Sequence, residues 1–392
     1  GMAPRPMPSS GVLGTAGRVA RAGAVRSADL RLAGAPLPLL GTARVYTCGI
    51  TPYDVTHLGH AATFVWADAL RGVLDMAGVE VVSARNVTDV DDVLTRAADA
   101  HGKHYDEFAL SQEYLFERDM DALAVHRPTH EPRARYYVPH VQQLTAALLA
   151  AGRAYERDGH VFFRGGEVPA RAGLERAAAL ELSGAFGDEP GDTLRDDPFD
   201  VPLWRPSGET DPAWPSPWGW GRPGWHAECA AMAAATLGST VDVLVGGADL
   251  AFPHHAYQAA MVESAVSVSP FSRRALHVGA VSQGGAKMSK STGNLTLVAD
   301  LLETAPAAAV RLMLLDRRWW EGWEFRPQLL QDATGKLHDL YGAAARPASD
   351  ESAQELVTSA LFDDLDVPRA VAVATEAGGA AGRLLIRVLS LG

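Results

Sequence analysis

The run Tyr46-Thr47-Cys48-Gly49-Ile50-Thr51-Pro52-Tyr53-Asp54, followed after Val55 and Thr56 by His57-Leu58-Gly59-His60-Ala61-Ala62-Thr63, decides the fold. Its first half is β-prone and is broken by Gly and Pro, and a helical run begins at about Ala61. Strand, turn and helix in that order present unpaired backbone N–H groups and a partial positive charge at the turn, a setting that favours phosphate. His57 and His60 stand at that helix start. Two histidines there are by themselves an ordinary cap. Joined by cations from elsewhere in the chain, they can stabilise negative charge that grows during substitution at phosphorus.

The cations are supplied far downstream. Lys287-Met288-Ser289-Lys290-Ser291 lies in a loop rich in Gly and Ser, between apolar residues 276–281 and 294–298. Such a segment can close over a triphosphate, where the ammonium groups of Lys287 and Lys290 offset the charge of a departing pyrophosphate.

The chain has two cysteines, and each sits beside one of these motifs. Cys48 is in the opening run, and Cys229 is in Gly224-Trp225-His226-Ala227-Glu228-Cys229. His254 and His255 follow Phe252-Pro253, after the strand-like residues 241–245. Cys48, Cys229 and one of the two histidines would make a Cys-Cys-His zinc site with one tetrahedral position open. A substrate thiolate fits that position, and zinc's preference for sulfur separates cysteine from serine better than apolar packing does.

Two cysteines in 392 residues exclude a disulfide framework and fit a cytoplasmic setting. No apolar run reaches the roughly 18 residues of a membrane span. The net charge of −12, from 47 acidic and 35 basic side chains, argues against a nucleic-acid partner.

Strand and helix patterns alternate from about residue 44, which predicts an α/β fold of Rossmann type with a parallel sheet and the ligand at the strands' carboxyl ends. Five regions are expected. Residues 1–42 read as a flexible leader with an added strand near Leu30-Arg31-Leu32. Residues 43–155 form the first half of the nucleotide fold with a helical extension. Residues 156–222, rich in Gly, Pro, Asp and Trp, read as an irregular insertion. Residues 223–300 form the second half, and residues 301–392 a helical domain.

The opening run, Asn86-Val87-Thr88-Asp89-Val90-Asp91-Asp92, the segment from Gly224 to Cys229, Phe252-Pro253-His254-His255 and the KMSKS string together resemble the cysteinyl-tRNA synthetase superfamily of the class I synthetases. Within it the Cys48-Gly49-Ile50-Thr51-Pro52 form is closest to the mycothiol (cysteine:glucosaminyl-inositol) ligase branch. The short, acidic stretch after KMSKS lacks the length of an anticodon-binding domain, so no tRNA partner is expected. Gln258 also stands where the synthetases carry a glutamate available as a fourth metal ligand.

The resemblance implies zinc on Cys48, Cys229 and His254, and ATP with Mg²⁺ as substrate. It implies cysteinyl-adenylate contacts from Gly49, Ile50, Thr51, Thr63, Asn86, Val87, Thr88, Gly247, Ala248, Asp249 and Val281, with Trp225 beside the cysteine. L-cysteine and glucosaminyl-inositol would be the other substrates, and the enzyme a monomer. A relative that passes cysteine to another small amine, or a truncated synthetase, is the alternative. Val245 replaces the first of three glycines usual before Asp249, which is expected to crowd the nucleotide.

Overall fold

A computed structural model describes residues 13–14, 16–17, 29–52, 55–347 and 351–392. Most of the expected leader, together with Tyr53 and Asp54, lies outside the described residues. The first hairpin, β1 (Arg31–Leu32) with β2 (Ala35–Pro36), does not extend the main sheet; beyond its own pairing, Arg31 bridges to Asp363 near the C-terminus.

The centre is a four-stranded parallel sheet of β3 (Thr42–Ile50), β4 (Glu80–Val87), β9 (Val241–Gly247) and β10 (Ser272–Val278), in the order β10-β9-β3-β4. Side chains of successive strand residues point to opposite faces. Val45, Val243 and Val245 therefore enter one core, while Tyr46, Cys48 and Leu244 enter the other. The first core holds α1 (Leu58–Met76) and the C-terminal helices, and the second holds α4 (Val138–Ala150), α7 (Trp225–Leu237) and α8 (His254–Val266). This parity corrects the expectation for Val245. Its side chain is buried on the α1 side and does not line the nucleotide cavity.

Apolar residues cover most of the circumference of α1, as suits a helix caught between sheet and tail. Gly72 is required for that packing: a Cβ there would lie 2.1 Å from the carbonyl oxygen of Val388. The tail consists of α9 (Val298–Leu302), α10 (Ala307–Leu315), α11 (Pro327–Ala344), α12 (Glu351–Phe362), α13 (Val367–Ala377) and α14 (Gly379–Val388), which share the α1 core. Arg311 of α10 is fully buried. It donates to Asp68 Oδ2 of α1 at 2.7 Å, to the Leu123 carbonyl at 3.1 Å and to the Leu389 carbonyl at 2.7 Å, tying three parts of the chain together.

Between the two halves of the sheet come α2 (Asp92–Ala100), α3 (Tyr105–Ala122), an extended segment along the edge of β4, and α4. The helical extension is thus interrupted at Leu123. Residues 156–222 are more regular than their composition suggests. With residues just before them they form an antiparallel sheet of β5 (Ala154–Arg157), β6 (His160–Phe163), β7 (Val201–Pro206) and β8 (Gly221–Pro223), with the short helices α5 (Val168–Arg171) and α6 (Arg176–Ala185) between β6 and β7. Asp92 at the start of α2 joins that sheet to the nucleotide fold through Arg205 at 3.1 Å and Arg222 at 2.9 Å. Among the described residues, no helix is long and apolar enough to cross a membrane.

Candidate active site

The carboxyl ends of β3, β4, β9 and β10 open into a cavity of about 360 Å³. Cys48, Gly49, Ile50 and Thr51 enter it from β3, and Asn86 and Thr88 from β4. His57, His60 and Thr63 come from the start of α1, Trp225 and Cys229 from α7, and His254 from α8. Gly247, Ala248 and Asp249 follow β9, and Val281, Lys287 and Lys290 close the rim. Of the residues expected to act in catalysis or to contact zinc, cysteine or nucleotide, Val87 alone is absent from this cavity; it lines a second one beside it.

The floor is a sulfur–imidazole cluster. One donor atom from each of Cys48, Cys229 and His254 lies within 4.8 Å of the others, and all three residues are buried. His254 Nδ1 is 2.8 Å from His226 Nδ1, which leaves Nε2 buried with no hydrogen-bond partner. A buried, orphaned nitrogen beside two sulfurs is the donor set of a zinc site, so these residues fit the metal. Gln258 is drawn close as well: its amide nitrogen donates to the Cys229 carbonyl at 3.4 Å and its Oε1 lies 3.9 Å from Cys48 Sγ.

Asn86 fixes the cluster. Its Oδ1 accepts from the Gly49 N–H at 2.7 Å and its Nδ2 donates to Cys229 Sγ at 3.2 Å. That approach demands glycine at position 49, where a Cβ would lie 1.9 Å from the Asn86 carbonyl oxygen. His255 Nε2 lies 3.1 Å from Cys48 Sγ, and His277 stands 2.8 Å behind His255. Burial opposes ionisation of both thiols, yet the hydrogen bond from Cys229 and the adjacent imidazoles hold Cys48 well below the usual thiol range. Burial and the neighbouring Cys48 push Cys229 well above it.

At the rim, His57 caps α1 by accepting from the Gly59 N–H at 3.1 Å, and its ring stacks on His60 with centroids 3.8 Å apart. Burial, then His57 and Lys287, lower His60 to about 3, so at neutral pH it is an uncharged imidazole. Lys287 forms an ion pair with Asp249. Met288, 2 % exposed, anchors the lysine loop in the α1 core, and Asn294 braces it by accepting from the Ser289 N–H and donating to the Ala286 carbonyl.

Sequence reasoning missed several neighbours. Phe64 and Phe116 wall the cavity, and Phe116 comes from α3, whose position only the tertiary fold reveals. Thr51 and Thr88 share a 2.6 Å hydrogen bond, and Thr51 reaches Asp91 at 3.2 Å. Burial raises Asp91 to about 6, and burial together with Asp91 raises Glu228 well above the carboxylate range.

The architecture is that of class I aminoacyl-tRNA synthetases. Mycobacterium tuberculosis methionyl-tRNA synthetase in complex with methionyl-adenylate superposes with a TM-score of 0.63 at 16 % identity, covering 90 % of this chain and 89 % of that one. An arginyl-tRNA synthetase structure described as putative, from Campylobacter jejuni, gives 0.58 at 13 % identity, covering 90 % of each chain. The model of the family "tRNA synthetases class I (C) catalytic domain" matches residues 40–335. Proteins named L-cysteine:1D-myo-inositol 2-amino-2-deoxy-alpha-D-glucopyranoside ligase are much closer in sequence. The one from Frankia casuarinae is 41 % identical over 87 % of this chain and 76 % of its own length. The one from Mycobacterium ulcerans is 41 % identical over 84 % of this chain and 83 % of its own. The chain belongs to the class I (C) synthetase family and, within it, to the group of these cysteine ligases.

Proposed function

We propose that the protein is an ATP-dependent, AMP-forming ligase that activates L-cysteine as cysteinyl-AMP and joins it to the amine of glucosaminyl-inositol. The observation that carries this reading is the Cys48, Cys229 and His254 cluster on the floor of a cavity whose rim holds both histidines and both lysines. Zinc, when bound there, supplies a soft Lewis acid with an open position for a thiolate.

Trp225 stacks on His254 at 4.0 Å between ring centroids and walls the cysteine side of the cavity. Gly247 lets the nucleotide approach the backbone after β9, and the hydroxyls of Thr51 and Thr88 are placed for the cysteine's polar end. The cysteine carboxylate attacks the α-phosphorus of ATP, and pyrophosphate leaves. His60 contributes as a neutral N–H donor, and Lys287 and Lys290 contribute positive charge to the departing group. Lys287 must first release Asp249, which then accepts from a ribose hydroxyl or the α-ammonium. In the second step the acceptor nitrogen attacks the acyl carbon, the amide forms and AMP leaves, with no covalent bond to the enzyme. Reduced cysteines and dependence on ATP suit the cytoplasm.

Pyrophosphate exchange tests the first step. Exchange is expected with cysteine and not with serine, and His60→Ala is expected to slow it by about 10²-fold, the scale of one lost transition-state donor. Exchange independent of cysteine would overturn the reading.

A further inference from the structure

The proposed reaction needs room for an amine beside a cavity whose side chains are already committed to cysteine and nucleotide. A second cavity of about 340 Å³ adjoins the first and shares two walls with it, Ile50 and Phe116. It lies between α3, the ends of β3 and β4, and the extended segment at 127–133 that runs beside β4. Its volume lies in the range of small-ligand sites.

The lining is unlike that of the first cavity. Glu113, Glu117 and Glu131 face Arg127 and Arg133 across it. Arg133 holds Glu113 at 3.1 Å, and Arg85 holds Glu117 and Glu131 at 3.0 Å each. This set is incompletely satisfied. Glu117 Oε2 is buried with no hydrogen-bond partner, and Arg127 stands off from it at 3.8 Å. Tyr114, 71 % exposed, offers an aromatic face at the mouth. Carboxylates that accept from an ammonium and from hydroxyls, guanidinium groups that donate to hydroxyls, and a flat ring for apolar C–H faces are together the chemistry that recognises an amino sugar.

We infer that this second cavity is the acceptor subsite, and that it binds a polyhydroxylated primary amine with its nitrogen directed past Ile50 and Phe116 toward the acyl carbon. The assignment rests on the proposed ligase reading. The ammonium must lose a proton before its nitrogen can attack, and Glu113 is suited to receive it. Burial, opposed by Arg133, raises Glu113 to about 7. The N–C bond then forms as the C–O bond to AMP breaks, and the amine's second proton leaves to water.

The test compares Glu113→Gln and Tyr114→Ala with the unaltered protein in two assays. One is cysteine-dependent pyrophosphate exchange, which needs no acceptor. The other is ligation to glucosaminyl-inositol across a range of acceptor concentrations. Both variants are expected to raise the acceptor KM about tenfold or more, with exchange within about twofold of the unaltered rate. Because Tyr114 is exposed, its variant keeps the test valid if Glu113→Gln disturbs folding. An acceptor KM unchanged in Tyr114→Ala and in a folded Glu113→Gln overturns the subsite while leaving the ligase reading intact. An unaltered protein that exchanges but never ligates glucosaminyl-inositol overturns the ligase reading and the subsite with it.

Discussion

Asn86 grips Gly49 with one end of its amide and the Cys229 sulfur with the other, so the geometry of the sulfur cluster depends on a residue first read as a nucleotide contact. Cys229 itself gives the sharpest test at this scale. Replacing a thiolate by a hydroxyl removes a soft ligand, and Cys229→Ser is expected to weaken zinc binding by at least about tenfold, read by chelator competition. Unchanged affinity would show that the donor set is wrong. His60 makes a prediction about pH. In the unfolded chain its imidazole takes a proton near pH 6.5, whereas in the fold it does so only near pH 3. Between those values the unfolded state holds more protons, so stability is complete above pH 6.5 and is lost on acidification, by about 1.4 kcal/mol per pH unit from this group. Urea titrations of His60→Gln at pH 6.5 and 5 should show a correspondingly shallower loss; an identical slope would place His60 in a more solvated setting. Cys48 and Cys229 were legible because cysteine is rare in this chain and each lies beside a motif. His226 and His277 were not, because nothing local in the sequence marks a histidine that meets a sulfur or another ring only after folding.

Arg311 joins three elements through one guanidinium, and removing it would strand Asp68 in the core. Arg311→Met is expected to cost about 3–5 kcal/mol in denaturant unfolding, with most of it recovered when Asp68 is also made apolar. A loss below about 1 kcal/mol would mean that water reaches the site. The same scale shows what patterning could and could not reveal. The parallel strands and α1 were legible from apolar runs bounded by turn residues. The sheet of β5, β6, β7 and β8 was not, because its strands are short and Pro, Gly and Trp mask their alternation. The break after α3 was hidden because α3 and α4 are both helical, and the segment between them is extended only through pairing with β4. The inward face of Val245 follows from strand parity, a rule available from sequence once the strand's limits are known.

Over the whole molecule, the acidic balance of −12 argues against a nucleic-acid acceptor. That balance is legible from composition alone. The acceptor's own place was not legible, because the second cavity is assembled from α3, two strand ends and the 127–133 segment, which meet only in the tertiary fold. The most direct measurement is zinc-replete, cysteine-dependent ATP consumption by the purified protein with glucosaminyl-inositol, with bulk tRNA and with no acceptor, the products being identified by mass. The account predicts AMP and cysteinyl-glucosaminyl-inositol in the first reaction alone. Cysteinyl-tRNA in the second, or no amide product in the first despite active pyrophosphate exchange, would contradict it.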